Sequence, residues 1–185
     1  DDMTSDYVGV LKQLGYTFRM NECDNRIEVN GERISDAMVA DINTKLRDRG
    51  LKHVNVARDA YTAEAYHNSY HPIQDYLEDL VWDGQDHISL LANHFEDRYS
   101  LFATYFKRWS IGAVAKAFEG VNNRMLVLDG PQDLGKSYWV AWLASPMEEY
   151  FVESSIKPDD KDHLIRLANK WIWEVAELGS TVRRA

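Results

Sequence analysis

The stretch Gly130-Pro131-Gln132-Asp133-Leu134-Gly135-Lys136-Ser137 constrains the fold of this chain more than any other eight residues. It fits the pattern G-x-x-x-x-G-K-[ST]. In that pattern small residues turn successive backbone N–H groups toward an anion, and the helix that follows aims its positive end at the same point. The pattern requires a buried strand before it and a helix after it. Met125-Leu126-Val127-Leu128 is a compact apolar run suited to that strand, ended by Asp129-Gly130, and Tyr138 to Leu143 supplies the helix, with Trp139, Val140 and Leu143 inward. Gly130, Pro131, Gln132, Asp133, Leu134, Gly135, Lys136 and Ser137 are therefore the expected nucleotide-binding residues. Lys136 would bridge the β- and γ-phosphates of ATP, and the Ser137 hydroxyl would ligate Mg²⁺. Asp133 is a complication, because an acidic side chain beside a triphosphate is repelled. Aspartate does tolerate unusual backbone geometry better than most residues.

Such a loop also needs a carboxylate at the end of a neighbouring strand, to hold the metal's water shell or orient the attacking water. Lys170-Trp171-Ile172-Trp173-Glu174-Val175-Ala176-Glu177-Leu178 supplies one. Its apolar core puts Glu174 and Glu177 at or just past the strand end. Glu177 is the preferred general base and Mg²⁺-shell residue, with Glu174 close behind. Between loop and strand, Asp159 to His163 open a helix with Leu164, Ile165 and Leu167 inward, and the acidic residues there suit the first-turn dipole.

Upstream the chain reads as α-rich. Residues 5 to 14 form a short helix. Tyr16 to Asn21 and Arg26 to Asn30 alternate about Glu22-Cys23-Asp24-Asn25, a hairpin signal. Asp36 is the expected N-cap of a helix reaching about Arg49, with Gly50 as its stop. Helices follow at Ala57 to Asn68 and Pro72 to Leu80. A five-turn helix spans Leu101 to Phe118, with Leu101, Tyr105, Phe106, Trp109, Ala113, Val114 and Ala117 on its apolar face and Lys107, Arg108 and Lys116 on its wet one. Trp82 reads as a core anchor beside the Asp83-Gly84 turn. The expected organisation is an α+β accessory region at 1–70, a helical region at 71–120 and a partial nucleotide-binding core at 121–185. The fold class is α/β: a helical N-terminal region with a small hairpin, then the first half of a P-loop parallel sheet.

The net charge of −9 excludes a chain-wide basic surface, so any DNA contact is local. No run approaches the roughly 20 apolar residues of a membrane helix, and residues 1 to 20 lack a signal-peptide core. One cysteine, Cys23, excludes an internal disulfide framework and fits a reducing cytoplasm; no neighbouring His or basic cluster marks it as reactive. His67 and His71 stand four apart, but Pro72 interrupts them and no third metal ligand is evident. The start at Asp1 and the end at Ala185 give the expectation of a fragment.

Together these motifs resemble the virulence-associated protein E family of phage and mobile-element proteins, related to primase-helicase ATPases. The resemblance covers about residues 70 to 185. It rests on Tyr70-His71-Pro72 with Asp75-Tyr76-Leu77, Leu80-Val81-Trp82-Asp83-Gly84, Ile111-Gly112-Ala113-Val114-Ala115, the loop from Gly130 to Ser137, Lys161-Asp162, and the strand from Trp171 to Leu178. Asp133 departs from the glycine usual there. The resemblance implies an additional-strand ATPase core, ATP and Mg²⁺ as cofactors, DNA as a partner of the full-length protein, a homo-oligomeric ring and a place in the bacterial cytoplasm. Alone, the chain is expected to hydrolyse ATP poorly. Two further readings remain open at this point. One is a non-catalytic interaction module with a vestigial nucleotide loop, and the other is a small P-loop kinase, which lacks an evident basic lid. Arg183 and Arg184 follow the acidic strand too closely for an arginine finger and read as a solvated tail.

Overall fold

The computed structural model describes residues 3–156 and 159–175. Among them are eight α-helices and six short strands, a mixed α/β arrangement with an antiparallel-rich sheet and a separate parallel pair. The chain divides into two compact units, residues 1–75 and 76–185.

In the first unit, α1 (Met3–Gln13) leads into β1 (Phe18–Asn21), β2 (Arg26–Val29) and β3 (Glu32–Arg33), followed by α2 (Asp36–Asp48), α3 (Val54–His67) and β4 (Ser69–Tyr70). The expected hairpin is present, with Phe18 opposite Val29 and Met20 opposite Ile27. It is the centre of a larger sheet ordered β3-β2-β1-β4, in which β4 joins β1 in parallel. Asn30 and Gly31 both take positive φ, 53° and 84°, the backbone of a tight Asn-Gly hairpin turn, and this turn adds β3. Alternation puts Phe18, Met20 and Val29 on one face of the sheet. There they pack with Tyr7 and Leu11 of α1, Ile42 and Leu46 of α2 and Ala60, Tyr61 and Ala65 of α3. The small alanines let α3 lie close, and Tyr61 stacks on Phe18 with ring centroids 5.6 Å apart. The cap of α2 is Ser35, not Asp36: its extended backbone lets the hydroxyl accept from the Met38 N–H, and Asp36 falls in the first turn.

A second correction concerns Cys23. His71, distant in sequence, lies with both ring nitrogens 3.6 Å from the Cys23 sulfur, so a histidine does adjoin the thiol. His71 Nδ1 also accepts from the Gln74 N–H at the start of α4 (Pro72–Asp79).

The second unit contains the rest of α4, then α5 (His87–Ala92), α6 (Phe102–Glu119), α7 (Lys136–Ala144), a 3-10 turn over Ser145–Tyr150, β5 (Phe151–Glu153), α8 (Lys161–Ala168) and β6 (Ile172–Glu174). Asp97 gathers the start of α6: its carboxylate accepts from the backbone N–H groups of Tyr99, Leu101 and Phe102. The buried side of α6 differs from expectation. Phe106, Ala113 and Ala117 are buried, but Leu101, Tyr105 and Val114 are exposed, because the partners of this helix cover a narrower stripe than its apolar residues span. Lys116 is not on the wet face. It is half-buried, its ammonium donates to the Lys170 carbonyl, and burial pushes its pKa down.

Three further expectations fail here. Trp82 is 79% exposed, its indole N–H donating to the Gln85 carbonyl within its own turn. On α8 the inward residues are His163 and Leu167, while Leu164 and Ile165 face outward. Met125 to Leu128 form no strand: Met125 and Val127 are 56% and 60% exposed and no described segment pairs with them. An apolar run becomes a strand only where a neighbour satisfies its N–H and C=O groups, and none of the described residues does so here.

Candidate functional site

The loop from Gly130 to Ser137 takes a turned conformation that few residue types permit. Gly130 has φ 152°, Asp133 φ 64° and Gly135 φ 78°. Asp133 therefore occupies left-handed backbone, where aspartate is among the few side-chain-bearing residues found routinely. Gly135 is the N-cap of α7, and as a glycine it offers no side chain to the free N–H groups of the first turn. Those N–H groups, with the helix dipole behind them, form an anion-accepting end. The Lys136 ammonium folds back over the loop and donates to the carbonyls of Gly130 at 2.9 Å and Pro131 at 2.6 Å. Ser137 is exposed in the first turn, and Pro131, Gln132 and Leu134 are exposed along the loop.

What holds α7 in place is aromatic. Trp139, three residues past the loop lysine, packs edge-on against Phe95, Phe102 and Phe106, with centroid distances of 5.0, 6.3 and 5.3 Å. Trp139, Val140 and Leu143 are partly buried and Ala144 fully so, which matches the inward face read from sequence. The anchor is thus placed on the helix that carries the loop, one turn from its N-terminus.

The acidic strand forms as expected, but its partner comes from an unmarked segment. β5 and β6 pair in parallel, Phe151 with Ile172, Val152 with Trp173 and Glu153 with Glu174, and β6 packs against α7. Two carboxylates therefore stand side by side at the C-terminal end of a parallel pair, the end at which open α/β sheets bind ligands. Glu153 is exposed. Glu174 is partly buried, and its Oε2 is buried without a hydrogen-bond partner among the described residues. Glu177 lies outside the described residues, as do Arg183 and Arg184.

Sequence reading missed Glu153 and His163. The apolar pair Phe151-Val152 followed by an acid was the available signal for the first. His163 is buried, its backbone N–H is capped by Asp160, and its Nε2 contacts the Ser155 carbonyl at 3.0 Å and the Ser154 hydroxyl at 3.4 Å. Ser154 in turn donates its N–H to the Glu174 carbonyl and accepts from the Trp173 indole N–H. The ends of both strands are tied together through this serine. On the other side Trp171 donates to the Ala113 carbonyl of α6, fixing the entry to β6.

No group of three or more His, Cys, Asp or Glu side chains forms a metal cage among the described residues. None of the described helices is long and apolar enough to cross a membrane. No curated protein matches the chain. The model of the virulence-associated protein E-like domain matches residues 77–185, more than half of the sequence, beginning just after Tyr76 and including both the loop and the acidic strand. The chain belongs to the virulence-associated protein E-like domain family.

Proposed function

We propose that residues 76–185 bind ATP with Mg²⁺ through the loop from Gly130 to Ser137, as the nucleotide-binding part of a phage-type DNA replication ATPase of the helicase kind. The observation that carries this reading is the Lys136 ammonium folded over the loop carbonyls, ahead of a helix N-terminus that no side chain caps. A lysine held there is placed to exchange carbonyl oxygens for phosphate oxygens with little movement. The buried Oε2 of Glu174, without a hydrogen-bond partner among the described residues, fits the second requirement, a carboxylate with acceptor capacity at a strand end.

In this reading the free N–H groups at the start of α7 hold the phosphates, Lys136 neutralises them, and the exposed Ser137 hydroxyl is the metal ligand. Glu174, with Glu177 beyond the described residues, orients water. Bound ATP–Mg²⁺ supplies the phosphoryl group and the cation that offsets its charge. DNA and a ring of identical subunits belong to the same reading and rest on the family alone.

The test is calorimetric titration with ATP in the presence and absence of Mg²⁺. Native protein is expected to bind. Lys136→Ala should lose about tenfold in affinity, the low end of what a charge-assisted hydrogen bond is worth, roughly 1.5 kcal/mol, because the lysine gives up carbonyl partners to make it. Ser137→Ala should retain binding but lose much of its dependence on Mg²⁺. No detectable binding at millimolar nucleotide would refute the reading and favour an interaction module with a vestigial loop.

A further inference from the structure

The first unit carries a concentration of positive charge that the net charge of −9 conceals. From Lys45 to Asp59 the sequence holds five Lys or Arg residues against two carboxylates, Asp48 and Asp59. Lys45 is held by Asp41. Arg47, Arg49, Lys52 and Arg58 are all exposed and make no ion pair among the described residues. They run along the last turn of α2, the turn joining it to α3, and the first turns of α3. Arg47, Lys52 and His53 border one surface depression with Val54, and Arg58 lies one helical turn beyond Val54.

The position of these cations is unusual for stability alone. Arg47 at the end of α2 complements the helix dipole, so that residue needs no further account. Lys52 and Arg58 lie at the opposite kind of end. The α3 N-terminus has no acidic residue in its first turn and no side-chain cap, so its free N–H groups and these side chains add positive charge to positive charge. An anion resting there would relieve all of it.

The shape and composition select the anion. The depression has no volume open to a ligand, so it suits a charged polymer lying across it better than a small enclosed molecule. From 45 to 58 there is no aromatic residue, and Val54 is the only exposed apolar residue among those described, so the patch lacks the apolar anchor of a protein or membrane interface. Three of the four unpaired cations are arginines, whose planar forks match phosphate oxygens.

We propose that the α2–α3 corner, through Arg47, Arg49, Lys52 and Arg58 and the open N-terminus of α3, is a docking surface for the phosphodiester backbone of DNA. The surface belongs to the first unit and the nucleotide loop to the second, and the proposal does not depend on the function proposed for that loop. Binding there is sequence-independent and driven by counterion release. With about four phosphate contacts, log K falls with log salt with a slope near −3.6 for duplex.

The test is fluorescence anisotropy of the 185-residue chain with a labelled 20-base-pair duplex and a 20-nucleotide single strand, from 50 to 200 mM salt and without ATP. Micromolar binding at 50 mM salt is expected. Charge reversal at Arg47, Lys52 and Arg58 should weaken it at least tenfold and flatten the slope by about three units. Reversal of Lys107 and Arg108 on α6 should leave it unchanged. A milder set, Arg47→Gln with Lys52→Gln and Arg58→Gln, guards against misfolding and should reproduce most of the loss with an unaltered circular dichroism spectrum. Failure of native protein to bind either DNA, a slope shallower than −1, or loss on reversing Lys107 and Arg108 instead would overturn the proposal. Lys136→Ala should not alter this binding, so the nucleotide reading and this one fail separately.

Discussion

Gly112 in α6 offers a test in which an ordinary helix rule should reverse. Replacing glycine by alanine inside a helix normally stabilises by about 1 kcal/mol, through lost unfolded-state freedom. At Gly112 a Cβ would stand 2.0 Å from Asn123 Oδ1 and 2.5 Å from its Cγ, well inside contact distance. Backbone strain plays no part; the obstacle is the Asn123 amide, which lies across the helix with its Nδ2 donating to the Trp109 carbonyl and its Oδ1 accepting from the Arg124 N–H, both at 2.8 Å. Gly112→Ala must swing this amide away. Two hydrogen bonds worth about 1 kcal/mol each are lost against a gain of about 1, a net destabilisation of about 1 kcal/mol. In an Asn123→Ala background the obstacle is gone, and the same substitution should stabilise by about 1 kcal/mol, a coupling of about 2 kcal/mol. Urea unfolding followed by tryptophan fluorescence reads the correct part of the chain, since all six tryptophans lie in residues 76–185. Equal stabilisation by Gly112→Ala in both backgrounds would refute the packing argument.

Asp133 keeps a left-handed backbone that glycine would adopt freely, so Asp133→Gly and Asp133→Asn separate geometry from charge. Two unit charges about 8 Å apart interact by roughly 0.5 kcal/mol in water, so a bound nucleotide carrying two or three is repelled by about 1 kcal/mol. Both variants should therefore bind ATP–Mg²⁺ about fivefold more tightly by calorimetric titration, and the gain should shrink with added salt; equal or tighter binding by the native loop rejects the charge argument. The pH dependence follows from the carboxylates that accept backbone or side-chain hydrogen bonds. The N–H groups of Phe102, Tyr99 and Leu101 hold the Asp97 carboxyl below its usual range, and hydrogen bonds to Ser89 do the same for Asp86. A depressed folded-state pKa means stability that is fully present above the ordinary value of 3.8 and lost as pH falls through the folded one. Thermal unfolding of native protein should steepen below about pH 4, and Asp97→Asn should blunt that dependence; an unchanged acid slope would show that the cap carries no linkage.

Where sequence and structure agree, the signal was local. The loop, its helix and the acidic strand are legible because their chemistry sits in contiguous residues, and periodicity found most helices within a few positions. Strand β3 has a local signal as well, since Asn30-Gly31 is a two-residue hairpin turn that brings Glu32 and Arg33 back along β2. The failures share another cause. Trp82, Leu164, Ile165 and Val114 are apolar residues whose burial depends on which element arrives opposite them, and nothing local to their own segments fixes that. Cys23 is the converse, since the histidine beside it comes from 48 residues away. Met125 to Leu128 shows the same limit for a strand, whose identity lies in its neighbour as much as in its own β-branched or aliphatic composition.

The magnitude expected for Lys136 illustrates why a motif lysine contributes less than its charge suggests. Its ammonium is not waiting in water; it already donates to the Gly130 and Pro131 carbonyls, so in the proposed reading nucleotide binding would exchange carbonyl acceptors for phosphate ones. The free energy gained is the difference between a charge-assisted bond to a phosphate oxygen and one to a neutral carbonyl, and the released carbonyls return to solvent because the loop is exposed. Removing Lys136 deletes both states at once, so the loss of affinity measures that difference and not a whole ion pair. An ammonium has three donors and two are spent on these carbonyls, so in the proposed reading a phosphate can take the third while the aromatic packing of Trp139 holds α7 in place. The apolar side of α7 holds the loop in place, and in the proposed reading its polar end would supply the affinity. A substitution at Trp139 should accordingly weaken nucleotide binding without touching any phosphate contact.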